Sequence, residues 1–534
     1  MTSLRRVHAR VWPEIGTKRS GLLLAALAAA VYTVEALAWP VQRGRDAWDY
    51  LVYYASFLDG STPFPLVMLV RSPVTAFVLG VPMQIGGARA LEIVAGVLYA
   101  VTIVAWAATA LTFSRGAALA TSVVLLVYAP FAVPFHEPSS DMVVATGFAL
   151  FALGLARTWR RPTAGRFAAL GAGVAVLTLA RPSYEVLLLA AVIPAALPGT
   201  WRGRTLRTGA FVAAAVVPLV GWAVVNGVRY GDTTVSRSGI LNVPFYPAFL
   251  AREIEPDNGP ASRRLAELVR TQVLTLPAYR RLGVETGTYF DSGENFEVVR
   301  LAGLVDRVDG LSSDYGLLRD AAREEHVPGD VVFRGVNLTR SAGYLGDWLR
   351  GLPQFEFRTK PDRWPLPRPT IEVGSKRFPN PAAQPPSPDA VPYGFLQCAS
   401  DEIQQCILRH PGTVFADTAL ARRYTAVTAM VRRFDEGLGA RRPNTGLSSW
   451  LDRLRGALPP VWTWIVAGAI ALVLRRPSDS MLIVALTALS FAVLVVHALG
   501  GRPDPLYALP VLPALPVAAI CALAGARRQH RAVT

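Results

Sequence analysis

The chain has 534 residues, of which 52% are hydrophobic and only 17% charged, too little charge to cover a soluble protein of this size. Its net charge of +16 is almost wholly arginine, since lysine occurs only at Lys18, Lys360 and Lys376. The arginines gather in short connections between apolar runs, where cytoplasmic loops of membrane proteins carry them, and that pattern argues against nucleic acid as a partner.

In chain order, residues 1–20 form a basic N-terminal segment, followed by an apolar run from Gly21 to Pro40. The run is long for a signal-peptide core and no small-residue cleavage site follows it, so it reads as a signal anchor. A first external segment spans 41–89. Within it, Pro65 to Ile85 is interrupted by Arg71, Pro73 and Pro82 and is expected as a re-entrant or interfacial helix rather than a span. Ten spans are expected near 21–40, 90–112, 116–134, 140–156, 165–180, 183–199, 208–228, 458–474, 479–499 and 505–526. The fold class is therefore an all-α polytopic membrane protein.

With the N-terminus in the cytoplasm, every inner connection is basic: Arg115; Arg157, Arg160, Arg161 and Arg166; Arg202, Arg204 and Arg207; Arg475 and Arg476; and the tail 527–534 with Arg527, Arg528 and Arg531. The membrane domain covers 21–228 and the C-terminal spans 458–526. Between spans seven and eight, residues 229–457 form a large, mainly helical external domain. Helical patterns run over Ala261–Leu274 and Arg422–Leu438, and a Pro-rich coil over Pro361–Pro392. The bias to Arg, Ala and Gly over Lys fits a bacterium of high genomic GC content, which makes the membrane the plasma membrane.

Three cysteines are present. Cys521 lies in the last apolar run as a packing residue. Cys398 and Cys406 lie in the external segment and form a local disulfide if it faces an oxidising compartment, or remain two thiols.

Ionisable residues gather at the outer level. Arg45, Asp46, Asp49 and Tyr50 follow the first span directly. Asp46 and Asp49 share a face if this stretch is helical, and a carboxylate there can take a proton from an acceptor hydroxyl. A polar interfacial cap is the other reading. His136-Glu-Pro-Ser-Ser-Asp141 opens the fourth span, where Ser and Asp are also ordinary N-cap residues. Arg181 lies between spans five and six, Arg502 between spans nine and ten, and His497 just inside the membrane edge. Guanidinium groups at that level suit a phosphate.

The stretches Asp46-Ala-Trp-Asp49-Tyr50-Leu, Phe57-Leu-Asp-Gly60 and Arg71-Ser-Pro-Val74 together resemble the first external loop of GT-C superfamily glycosyltransferases, which include protein O-mannosyltransferases and the aminoarabinose transferase of lipid A. His136–Asp141 is similar to the family's second acidic loop, and Ala180-Arg181-Pro182 to its Arg-Pro step. Tyr507, Pro510 and Pro513 match a C-terminal pattern that usually places Arg before the Tyr, where this chain has Leu506. Arg502 stands one helical turn earlier in its stead.

The resemblance implies a GT-C-like fold and an inverting glycosyltransferase. Its donor is a sugar on polyprenyl phosphate, and its acceptor a cell-envelope glycan, lipid or protein. Carried over to this chain, Asp46 is the base and Asp49 the second choice. Glu137 and Asp141 orient the acceptor or a metal. Arg45, Arg181 and Arg502 bind the donor phosphate, with Tyr50, His497 and Tyr507 nearby. A divalent cation (Mg, Mn or Ca) is permitted by the converging acids but not required. Two other classes remain: a lipid or sugar transporter or flippase, which the unequal halves disfavour, and a non-catalytic membrane protein whose external domain binds a partner.

Overall fold

The computed structural model describes residues 18–41, 44, 47–58, 69–237, 245–275, 279–280, 283–293, 295–310, 315–325, 329–333, 336–354, 370–373, 376–379, 444–456, 461–475, 479–500 and 507–524.

The long Ala-, Leu- and Val-rich runs form helices because every backbone N–H and C=O is then satisfied within the segment. The first is α1, Lys18–Ala38. A short helix α2, Ala47–Leu58, follows it. Next comes α3, Pro73–Leu111, then α4, Arg115–Val127, α5, Ser140–Arg160, and α6, Ala164–Ala180. A tightly wound segment α7, Pro182–Ala196, leads to α8, Trp201–Tyr230. Of these, α1, α3, α5 and α8, together with Ser480–Leu499, are long and apolar enough to cross a membrane. Shorter apolar helices occupy 115–127, 164–180, 182–196, 463–474 and 514–524. An apolar helix thus stands at each expected span position, while length and composition support crossing for five of them.

Several boundaries depart from expectation, and proline or glycine is involved each time. Residues 73–86 are helical, as expected for the end of the 65–85 run. They form a helix of their own that meets the helix over 88–111 at a kink, where Gly87 has φ +63° and ψ −153°, a conformation that suits glycine. Pro73 is accommodated there because the first helical residue needs no N–H. The third apolar helix ends at Val127 because Pro130 and Pro134 lack donors, so 129–136 folds as short turns. The last ends its approach at Pro513, and only 514–524 is α-helical.

The helices close on a buried core running from Ala28 to Ala522. Small residues set the closest approaches. A side chain at Gly171 of α6 would meet the Phe211 carbonyl oxygen of α8 at 2.1 Å.

The region between α8 and the C-terminal helices has a core of its own. It is built around α9, Pro260–Leu268, α10, Asn295–Asp309, and α11, Gly316–Glu324, with Phe249, Leu265, Tyr289, Val298 and Tyr315 buried together. The helical pattern expected over 261–274 is observed as α9 continued by a wider turn through Val273. Both carboxylate oxygens of Glu324 accept the N–H groups of Ala261 and Ser262 at 2.7 Å, capping α9 from α11. Helix α12, Leu338–Gln354, carries Arg340, which pairs with Glu253 and lies 3.5 Å from Glu325.

Within the stretch expected as Pro-rich coil, Thr370–Val373 and Lys376–Pro379 pair as an antiparallel hairpin, in keeping with the alternating Thr-Ile-Glu-Val sequence. The expected helix at 422–438, and Cys398 and Cys406, lie outside the described residues.

Arg237 fastens this region to the segment that leads into α3. Its N–H donates to Leu69 O at 3.0 Å, its guanidinium pairs with Asp232 and it lies 3.8 Å over the Tyr315 ring. The chain returns through α13, Thr445–Gly456, α14, Val461–Arg475, α15, Ser480–Leu499, and α16, Ala514–Ala524.

Candidate functional site

The loop that opens α5 settles a local question of roles. Ser139 is the N-cap, its Oγ accepting the Asp141 N–H at 3.2 Å. The Asp141 carboxylate is therefore not spent on capping. It sits in the first turn of α5, favoured by the helix dipole, and receives a hydrogen bond from Ser139 Oγ at 3.3 Å. Its principal partner is Arg181, with which it forms a direct, largely buried ion pair.

Arg181 ends α6 in an extended conformation, because Pro182 follows and disfavours helix at the preceding residue. That turn aims its guanidinium at Asp141. The connection is tied down by Thr75 of α3, whose hydroxyl donates to Ala180 O at 2.8 Å. The guanidinium carbon lies 4.3 Å over the ring of Tyr507.

Tyr507 in turn stacks on His497 at 5.1 Å. His497 is fixed through both nitrogens: Nδ1 lies 2.8 Å from Val493 O and Nε2 3.1 Å from Ser183 Oγ. A carbonyl can only accept, so Nδ1 carries a hydrogen. Arg71 lies 5.4 Å over the Tyr50 ring, bringing a second guanidinium to the edge of the same group.

The segment after α1 meets the acidic loop through Gly44. A side chain there would fall 2.6 Å from Pro138 O and 2.7 Å from Glu137 O, so only glycine allows the two backbones to touch. Behind the loop, His136 stacks on Tyr32 of α1 at 4.6 Å, and Tyr32 donates its hydroxyl to Phe135 O at 3.0 Å. His136 Nε2 lies 3.8 Å from the Glu35 carboxylate, and both side chains are fully enclosed. Glu137 is buried beside them.

Of the residues proposed from sequence, Asp141, Arg181, Tyr50, His497 and Tyr507 come together here, with Glu137 at the rear. Arg45, Asp46 and Arg502 lie outside the described residues. Asp49 is placed on α2 by its backbone alone. Sequence reasoning missed Ser183 and Glu35. Ser183 is visible only as the residue after Arg-Pro. Glu35 is a lone acid in an apolar run, a placement that is costly unless partnered. Among the described residues, no group of three or more His, Cys, Asp or Glu is placed to hold a metal ion.

No family model matches the sequence. No curated protein matches it either. Three solved structures that align with the fold are all of the Archaeoglobus fulgidus oligosaccharyltransferase. The apo form has 11% identity and a TM-score of 0.36, covering 95% of this chain and 51% of that one. The complex of AglB with an inhibitory peptide and a dolichol-phosphate has 11% identity and a TM-score of 0.33, over 88% of this chain and 59% of that one. The form tethered to an acceptor peptide has 9% identity and a TM-score of 0.32, over 94% of this chain and 56% of that one. This chain thus spans little more than half the length of those proteins, and likeness at this level does not assign a fold.

Proposed function

We propose that the protein is a GT-C-type membrane glycosyltransferase that moves a sugar from a polyprenyl-phosphate donor to an extracytoplasmic acceptor. The observation that carries this reading is the enclosed Arg181–Asp141 pair under Tyr507. A guanidinium with one edge on a carboxylate and one face on an aromatic ring is a fixed cation, suited to the negative charge that grows on a leaving phosphate.

In this reading Asp46 takes the proton from the acceptor hydroxyl. The acceptor oxygen attacks the anomeric carbon with inversion, and the carbon–oxygen bond to phosphate breaks as polyprenyl phosphate leaves. Gly44, two residues before Asp46, supports the assignment because it brings this stretch against the loop that holds Asp141. The proton-accepting role, the acceptor class and the outward orientation are parts of the proposal. The test is transfer from polyprenyl-phosphate sugars in isolated membranes. Asp46→Asn is expected to lose transfer by a factor of at least about a hundred while inserting normally. Normal turnover by that variant would reject the base, and no transfer by the unaltered protein with any such donor would reject the reading.

A further inference from the structure

Arg237 is fully enclosed, a costly place for a guanidinium unless it is paired. Its Nε lies 3.1 Å from the Asp232 carboxylate, and its guanidinium carbon 3.8 Å over the ring of Tyr315. Both partners are themselves held. Asp232 accepts the N–H of Thr234 at 3.0 Å, and Asn226 of α8 donates to Thr234 O at 2.8 Å. Tyr315 is buried at the start of α11 with a φ of +55°, in the left-handed region that residues other than glycine enter only at a cost. Strain of that kind persists where the surroundings over-determine it, and here its outcome is a ring laid on Arg237.

The backbone that this clamp holds leads straight into the transfer site. Leu69 and Val70 are helical, and the last carbonyls of a helix have no partner within it. Those of Leu69 and Val70 accept instead from the Arg237 N–H at 3.0 Å and the Ser236 hydroxyl at 3.1 Å. On the far side, Ser72 is extended, as the residue before a proline prefers, and Pro73 opens α3. Arg71 thus stands between two fixed stretches of backbone. Its guanidinium lies 5.4 Å over the ring of Tyr50, itself buried, at the edge of the transfer site.

We propose that Arg237 is a positioning residue for the transfer reaction: gripped by Asp232 and Tyr315, it fixes the backbone before Arg71 and so keeps the Arg71 guanidinium on Tyr50. This role rests on the glycosyltransferase reading. The donor phosphate stays with Arg181, and Arg71 is a second cation whose charge adds to the potential at the leaving group. Through Tyr315, the packing of α11 then bears on the transfer site.

The test uses the full-length protein in nanodiscs, with 3-fluorotyrosine at position 50 reporting the Arg71 contact and transfer from undecaprenyl-phosphate sugars as the activity. Arg237→Lys keeps the charge but loses the fork and the flat face. Tyr315→Leu removes the ring. Both are expected to shift the fluorine signal as Arg71→Gln does, and to lower kcat about tenfold while KM for the donor changes less than about twofold. In an Arg71→Gln background neither is expected to move the signal or the rate further, because the effect passes through Arg71. Ser236→Ala removes a single hydrogen bond and is expected to give the same pattern at about two- to threefold. It carries the test if the larger changes unfold the protein, and the fluorine signal carries it if Arg71→Gln leaves too little transfer to measure.

An unmoved fluorine signal in folded variants, an unchanged kcat, or losses that multiply with that of Arg71→Gln would each overturn the positioning role and leave the transfer reaction standing. No transfer by the unaltered protein overturns the glycosyltransferase reading, while the fluorine signal still reports whether Arg237 holds Arg71.

Discussion

Arg181 draws Asp141 and Tyr507 from distant parts of the chain, beside Tyr184 in its own turn. Its role rests on geometry as well as charge. Lysine cannot address the carboxylate and the ring as a planar fork does. Arg181→Lys is therefore expected to keep the protein folded and to reduce transfer strongly. Arg181→Ala leaves Asp141 buried without its cation and is expected to cost about 3–5 kcal/mol of stability. Thermal unfolding of the purified protein separates the two variants. Equal unfolding midpoints for both would show that the pair is not structurally important. At this scale Asp141 and Arg181 were readable from the sequence as residues, because charge next to apolar helices is conspicuous. Their pairing was not, since 40 residues separate them and nothing local links the two. Likewise, the short polar run Ser139-Ser-Asp141 allows either serine or the acid to cap α5. Only the side-chain directions assign the cap to Ser139 and leave the acid to Arg181.

Elements are joined by close backbone approach and by caps that cross between helices. The packing of α6 on α8 depends on the missing side chain at Gly171, whose nearest obstacles are the backbone of Phe211 and Ala215. Backbone cannot swing aside as a flexible side chain can, so Gly171→Ala is expected to destabilise the membrane domain by about 1–3 kcal/mol. The midpoint of heat-induced unfolding in detergent measures this, with Gly173→Ala as control, since that position has open space.

In the region between α8 and α13, Glu324 caps α9. Burial raises its pKa, but the N–H groups of Ala261 and Ser262, the Ser262 hydroxyl and the nearby Arg263 charge outweigh burial and hold it below its ordinary value of 4.5. Because the folded pKa is the lower one, this contribution is fully present above the unfolded pKa and is lost as pH falls through the folded value. Glu324→Gln is expected to lower stability near pH 7 by about 1 kcal/mol, and the difference from the unaltered protein should close as pH falls through the lowered folded pKa. A gap that stays constant to pH 3 would refute the capping argument. The sequence carried no sign of this link, since 62 residues separate cap and helix.

For the whole molecule, the basic connections predict that the external region, including position 380, lies on the side opposite Arg115, Arg166 and Arg204. A cysteine introduced at position 380 is expected to react with a membrane-impermeant maleimide in intact cells, and one introduced beside Arg204 only after permeabilisation. The reverse pattern would turn the proposed site to the cytoplasm and remove the extracytoplasmic acceptor.

By itself the sequence determined that this is a helical membrane protein, where its apolar helices stand and which level of the chain gathers acids and arginines. Those properties are local: about twenty apolar residues must form a helix in lipid, and charge must avoid the bilayer interior. Tertiary structure alone decided the rest. It set a kink at Gly87 between residues 73–86 and 88–111, gave the region between α8 and α13 a core around Tyr289 and Tyr315, and set His497 and Tyr507 against Arg181. These features depend on which helix faces pack together. An apolar helix alike on all sides carries little periodicity to announce its neighbours, so the choice is made by small-residue contacts and buried polar pairs between distant segments.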